Sequence, residues 1–341
     1  MKRHLNTLYV TSKGSYVAKQ GEALVVRRKD AEDFRVPIHM ISSVICLGQV
    51  SVSPPAMAHC AGNGVAVSFL SPHGRFLAMV VGETTGNVLL RKAQFRASES
   101  PESALSLART FVQAKIHNSR ILVRRALRDH GESEGTLRKT AGHLDRGMDR
   151  VESAENLDVL RGIEGEAARH YFGSFSVLVR NRARGFRSER RSRRPPMDRL
   201  NALLSFAYSL LASDVRSACE GVGLDPQVGF LHGDRSGRPS LALDLMEELR
   251  PVIAERVVLS LINRQQIKPA DFEIELGGAV RMKDAPRKTF LREYQERKSE
   301  ELVHPFLGDR ITLGTVPLVQ ARLLAKTLRG ELDGYPAYLW R

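Results

Sequence analysis

Cysteine is scarce in this chain. Cys46, Cys60 and Cys219 are the only three, far apart and odd in number. Without a Cys-x-x-Cys pair there is no zinc knuckle to build, and such a scatter excludes a disulfide-stapled secreted domain. All three read as buried thiols. No uninterrupted apolar run approaches the ~20 residues a helix needs to cross a bilayer. The basic opening Met1-Lys2-Arg3 is followed by no long apolar signal core. These absences point to the cytoplasm. Aromatic residues are only 6% of the chain, with one tryptophan, so base stacking is not expected to lead any nucleic-acid contact. Acidic residues are also short, 38 against 52 Lys and Arg, for a net charge of +14. That excess points to a polyanionic partner, with nucleic acid ahead of an acidic membrane surface.

What is present is enough apolar mass, 42%, for a substantial core, and at 341 residues two domains are expected. Residues 1–96 read as β-rich. Leu8–Thr11, Tyr16–Ala18, Ala23–Val26, Val44–Leu47, Ala66–Leu70 and Leu77–Val81 are short β-branched or aromatic runs, punctuated by turn formers such as Lys13-Gly14-Ser15 and Pro72-His73-Gly74. Pro54-Pro55 opens a short helix. Nothing there gathers titratable groups, so this domain reads as a scaffold or dimerisation surface. Residues 97–102 form the linker, and 103–341 the larger, all-α catalytic domain of a two-domain α+β protein. Ser100 as N-cap, Pro101 at the first helical position and Glu102 in the first turn start its first helix. Leu105, Ala108, Phe111, Val112 and Ile116 continue it as an apolar stripe. Asp129–Arg146 reads as a loop. Further helices are expected over about Val151–Phe172, Met197–Cys219 and Asp244–Arg264, the last kinked or split at Pro251.

Three stretches carry candidate chemistry. In Phe230–Arg250, His232 lies on a Gly-rich turn, with Asp244 and Glu247 three residues apart and so on one helical face. An imidazole with carboxylates suits Mg²⁺ or Mn²⁺. The same Asp-x-x-Glu is equally a capping box, with Asp244 as N-cap. In the second stretch, Gly162 and Gly165 flank Glu164 within a helix, at a cost of roughly 1 kcal/mol each relative to alanine. Either tight helix packing or the approach of a ligand to the backbone accounts for them. Third, eight arginines lie between Arg180 and Arg194 against one acid, Glu189. Guanidinium matches phosphate oxygens bidentately, which makes Arg190, Arg191, Arg193 and Arg194 candidate DNA contacts.

Together, Leu-Arg-Gly-Ile-Glu-Gly from Leu160, Arg-Arg-Pro-Pro-Met-Asp-Arg-Leu-Asn from Arg193, and Phe-Leu-His-Gly-Asp from Phe230 with Leu-Asp-Leu-Met-Glu from Leu243 resemble the CRISPR-associated endonuclease/integrase family of spacer acquisition. The resemblance covers the whole chain in layout and is closest over residues 160–251. It implies that Glu164, His232 and Glu247 ligate Mg²⁺ or Mn²⁺, with Asp244 bound through water or capping the helix. Many members have aspartate where Glu247 stands. His232 has a rival role as general base. Family members work as homodimers, two of which bracket a dimer of a small companion protein. They insert short duplex DNA into a CRISPR repeat array by attack of 3′-hydroxyls on phosphodiesters, in the prokaryotic cytoplasm. Such in-line transfer needs no protein nucleophile, and a covalent tyrosine mechanism is disfavoured because no tyrosine is seen within the Glu/His set.

Overall fold

The computed structural model describes residues 6–29, 31–82, 87–130, 135–180, 184–188, 191–192 and 195–341. The chain divides into two compact units, Met1–Gly86 and Asn87–Arg341. The division falls about ten residues before the expected end at 96.

The first unit holds β1 (Asn6–Val10), β2 (Tyr16–Gln20), β3 (Ala23–Arg28), β4 (Ala31–Pro37), β5 (Ile41–Leu47), β6 (Ser51–Val52), α1 (Pro54–Gly62), β7 (Ala66–Leu70) and β8 (Phe76–Val80). One sheet has the order β1-β5-β7-β8 and the other β4-β3-β2-β6. In the first, β1, β5 and β7 run parallel and β8 antiparallel. The two sheets share one core, with Val10, Val44, Cys46 and Val67 from one, Val17, Leu24 and Val26 from the other, and Ala56 and Cys60 from α1. Alternation of apolar and polar residues selects which strand face turns inward. All three cysteines are buried thiols as expected, and burial pushes Cys46 up to about 12 and Cys60 to about 11. Two strands here are missed in sequence, the two-residue β6 and β4, Ala-Glu-Asp-Phe-Arg-Val-Pro. Strand β4 is a sheet edge whose exposed charges hide its period.

The second unit contains α2 (Val88–Glu99), α3 (Pro101–His130), α4 (Thr136–Glu152), α5 (Leu157–Leu178), α6 (Arg199–Val222), α7 (Ser240–Glu247), a π-helical segment Arg250–Glu255, α8 (Arg256–Asn263), β9 (Phe272–Ile274), β10 (Val280–Met282), α9 (Asp284–Ser299), β11 (Glu301–Val303), β12 (Arg310–Thr312) and α10 (Val316–Leu328). The hairpins β9–β10 and β11–β12 make the all-α expectation too narrow. The expected linker 97–102 is instead the end of α2 and the start of α3, and Ser100 Oγ does accept from Ser103 N at 3.3 Å. The loop expected over Asp129–Arg146 is overturned by α4. Leu137, Ala141, Leu144 and Val151 form a narrow buried stripe along it. Asn156 caps α5 and Asp198 caps α6 through their side-chain oxygens.

The region around Pro251 positions the site. Proline has no N–H to continue an α-ladder. Helix α7 accordingly ends at Glu247, and the chain widens into the π segment before α8. The capping-box reading of Asp244 fails here, because α7 starts at Ser240 and Asp244 lies inside it.

Candidate functional site

Helix α3 runs behind the site and contributes Lys115. Its buried face carries Ala108, Phe111, Val112 and Ile116, and Lys115 interrupts that apolar surface with a side chain only 12% exposed. A buried ammonium requires anionic partners. It has two, from helices remote in sequence: Lys115 Nζ donates to Glu164 Oε1 of α5 and lies 2.7 Å from Glu247 Oε2 of α7. Glu247 Oε1 is held from its other side by Arg250 Nη2 at 2.9 Å. Burial pushes the Glu247 carboxyl up. Arg250 and Lys115 outweigh it, with a smaller pull from His232, and hold its pKa down to about 2. Burial likewise disfavours the Lys115 ammonium, yet Glu247 and then Glu164 leave its pKa raised.

His232 is placed by Asp244. The Asp244 side chain is fully buried, its Oδ2 accepting from Phe230 N at 2.6 Å and Leu231 N at 3.0 Å. Its Oδ1 accepts from His232 N at 3.0 Å and lies 2.6 Å from His232 Nδ1. A carboxylate only accepts, so Nδ1 is the donor, and in the neutral ring the lone pair falls on Nε2. Gly229 allows this closeness, since a Cβ there would stand 2.7 Å from Ser240 Cβ and 2.8 Å from Asp244 Oδ2. Arg161 Nε donates to Leu231 O at 3.0 Å and ties the turn to α5 just before Glu164.

Glu164 and Glu247 are thus brought together on one cation, with His232 near enough to influence Glu247. Asp244 serves as the orienting carboxylate behind the imidazole. Among the described residues no three His, Cys, Asp or Glu side chains stand close enough to hold an ion as they are placed. The donors nevertheless fit a hard divalent cation: two carboxylates that already share a cationic neighbour, and an imidazole with a fixed tautomer. Glu247 Oε2, although ion-paired, is buried without a well-angled hydrogen bond. Gly162 and Gly165 are exposed, and a Cβ at either would meet nothing within 4 Å. That removes the helix-packing explanation for them and leaves open space beside Glu164. Glu166 pairs with Arg150 at 2.6 Å, away from this set.

Arg190, Arg193 and Arg194 lie outside the described residues. Arg191 is engaged within the fold: its Nη1 donates to Asn201 Oδ1 at 2.7 Å, and its guanidinium lies 5.3 Å from the Tyr208 ring centre. That engagement gives Arg191 a structural role within the fold. Tyr208, unremarked in sequence, also lies under Arg250 at 5.0 Å. Its hydroxyl and that of Tyr171 donate to the buried Glu255, and burial first, then Glu255, raises both phenols well above 10. Neither is poised as a nucleophile. Lys115 and Arg250 were missed, although a lone lysine on an apolar helix face was a legible signal.

The family model for CRISPR associated protein Cas1 matches residues 8–296. The chain belongs to the Cas1 family. A CRISPR-associated endonuclease Cas1 of Chlorobaculum tepidum is 51% identical over the full length of both chains. Among solved structures, a Cas1 protein from Thermotoga maritima superposes with a TM-score of 0.81 at 23% identity, covering 98% of this chain and 100% of its own. A casposase bound to integration product gives 0.84 at 23% identity, covering 96% and 92%. At such identity these two show that the Cas1 fold extends over both units. No helix among the described residues is long and apolar enough to cross a membrane.

Proposed function

We propose that this Cas1-family chain is a divalent-metal-dependent DNA endonuclease/integrase that inserts short duplexes into a CRISPR repeat array by 3′-hydroxyl attack on phosphodiesters. One observation carries the reading. Carboxylates from α5 and α7, 83 positions apart in sequence, meet at one cation-binding point beside an imidazole whose tautomer is fixed for ligation. Glu164, Glu247 and Nε2 of His232 are the residues that would hold Mg²⁺ or Mn²⁺. A bound divalent ion supplies polarisation of the scissile phosphate and favours deprotonation of the attacking hydroxyl. Arg250 keeps Glu247 ionised, Asp244 keeps the His232 lone pair directed outward, and the open flank at Gly162 and Gly165 admits a phosphodiester beside Glu164. Arg190, Arg193 and Arg194 hold the duplex backbone. By family analogy the working assembly is a homodimer with a small companion protein, two dimers bracketing one companion dimer, on CRISPR repeat DNA.

The test incubates purified protein, with and without its companion, with a short 3′-hydroxyl duplex, a repeat-bearing plasmid and Mn²⁺. Wild type joins the strands. Glu164→Ala and His232→Ala lose joining while duplex binding survives. Joining retained in either folded variant refutes the site, and cleavage without joining in wild type leaves a nuclease but no integrase.

A further inference from the structure

Lys115 raises a question that a simple ligand set leaves open. We propose that Lys115 is a tethered competitor for the divalent cation: its ammonium stands on the point Glu164 and Glu247 share, and it must withdraw before those carboxylates close on a metal. The proposal rests on the metal-site reading above and adds to it a residue outside the ligand set.

Four observations support it. The ammonium donates to Glu164 and lies 2.7 Å from Glu247, so one positive charge already bridges the two candidate ligands. Glu247 does not depend on Lys115 alone, because Arg250 holds its other oxygen at 2.9 Å. The two cations differ in freedom: the Arg250 guanidinium lies over the Tyr208 ring, whereas lysine carries its point charge on a flexible four-carbon stem. Glu164 reaches solvent, its side chain 25% exposed, and a Cβ at Gly162 or Gly165 on either side of it would meet nothing within 4 Å, so the ammonium's partner has an open side. Charge counting agrees. Two carboxylates are matched by two cations here, and a divalent ion added with Lys115 still in place would leave an excess of two positive charges among buried groups. Withdrawal of the ammonium halves that excess and lets the two oxygens approach one centre.

The experiment measures Mn²⁺ affinity by titration calorimetry, without DNA, for wild type, Lys115→Gln, Glu164→Ala and His232→Ala, each checked for folding by circular dichroism. Lys115→Gln is expected to bind Mn²⁺ at least tenfold more tightly than wild type, whereas a lysine of merely structural importance would weaken binding when removed. A second measurement needs no variant. Acylation of Lys115 in wild type, followed by peptide mass spectrometry, is expected to rise severalfold at saturating Mg²⁺ as the ammonium leaves its carboxylates. If Lys115→Gln binds no more tightly while Glu164→Ala loses binding, the competitor role is overturned and the metal site stands. Unchanged Lys115 reactivity at saturating Mg²⁺ also overturns it, and decides the matter if Lys115→Gln does not fold. Wild-type affinity retained in both Glu164→Ala and His232→Ala would overturn the metal-site reading itself, and the competitor role with it.

Discussion

Asp244→Asn changes one atom behind the candidate site and reverses a proton. The buried carboxylate accepts two backbone N–H groups on Oδ2, and one backbone N–H together with the His232 ring on Oδ1. An asparagine keeps an acceptor on one side only. Its oxygen is expected to stay on the Phe230 and Leu231 amides, because these cannot change what they donate, whereas an imidazole can change tautomer. The amide NH₂ then faces Nδ1, the ring proton moves to Nε2, and the lone pair meant for a metal is lost. One hydrogen bond to a charged acceptor, from His232 N, is lost outright at about 1.5–3 kcal/mol, and the others become bonds to a neutral group, which together put the stability loss at about 3 kcal/mol or more. For a unit of this size a loss of about 3 kcal/mol lowers Tm by about 6–12 °C. Removing the partner of a ligating histidine typically costs about 10–100-fold in metal affinity, so Mn²⁺ titration should register that drop. Imidazole ¹⁵N NMR should show the proton on Nε2. An Asp244→Asn protein that keeps the proton on Nδ1 and joins strands at the wild-type rate would refute the reasoning.

Other expectations follow from the same geometry. Gly162→Ala and Gly165→Ala meet no neighbour, so each should stabilise α5 by about 1 kcal/mol. If the bare backbone is there for substrate approach, strand joining falls as Tm rises, and unchanged joining sinks that explanation. Replacing Arg190, Arg193 and Arg194 by alanine should flatten the plot of log affinity against log salt by about 0.9 for each phosphate no longer neutralised. Arg191→Ala should instead act on stability, leaving the slope as in wild type, since its guanidinium is engaged with Asn201. Burial raises Glu248 from 4.5 to about 7, against hydrogen bonds from Tyr335, Tyr338 and Gln320. A carboxyl raised on folding gives stability that is full below about pH 4.5 and fades as pH rises towards 7, by up to about 3 kcal/mol. Melts of wild type and Glu248→Gln at several pH values should differ by that slope, and parallel curves would contradict it.

Local rules made much of this chain legible. The Ser100-Pro101-Glu102 start, the Pro54-Pro55 helix and six of the strand runs rest on caps, turns and period, which act over a few residues. Elements at the margin of those rules escaped. Helix α4 buries a narrow stripe in an otherwise polar segment, and β4 is a charged edge. The Asp244-x-x-Glu247 pattern was ambiguous because cap and ligand use the same two side chains, and only the backbone start at Ser240 removes the cap reading. Arg191 is ambiguous for a related reason. A guanidinium suits phosphate, but it also suits an asparagine oxygen and an aromatic face, and sequence does not say which is nearer.

The residues that sequence missed at the site are cations. Two carboxylates buried side by side repel, and each raises the cost of ionising the other. Any arrangement that brings Glu164 and Glu247 together in the fold must therefore include positive charge before substrate or metal arrives. Lys115 and Arg250 meet that requirement from opposite sides of Glu247. The price is a site in which an ammonium stands between the groups expected to share an ion. On the proposed reading, preorganisation is electrostatic before it is geometric: Glu247 is held ionised beside Glu164, and final convergence is left to the exchange of the Lys115 ammonium for a metal ion. Metal affinity should therefore respond more strongly to the charge at position 115 than to conservative changes in ligand length, such as Glu247→Asp.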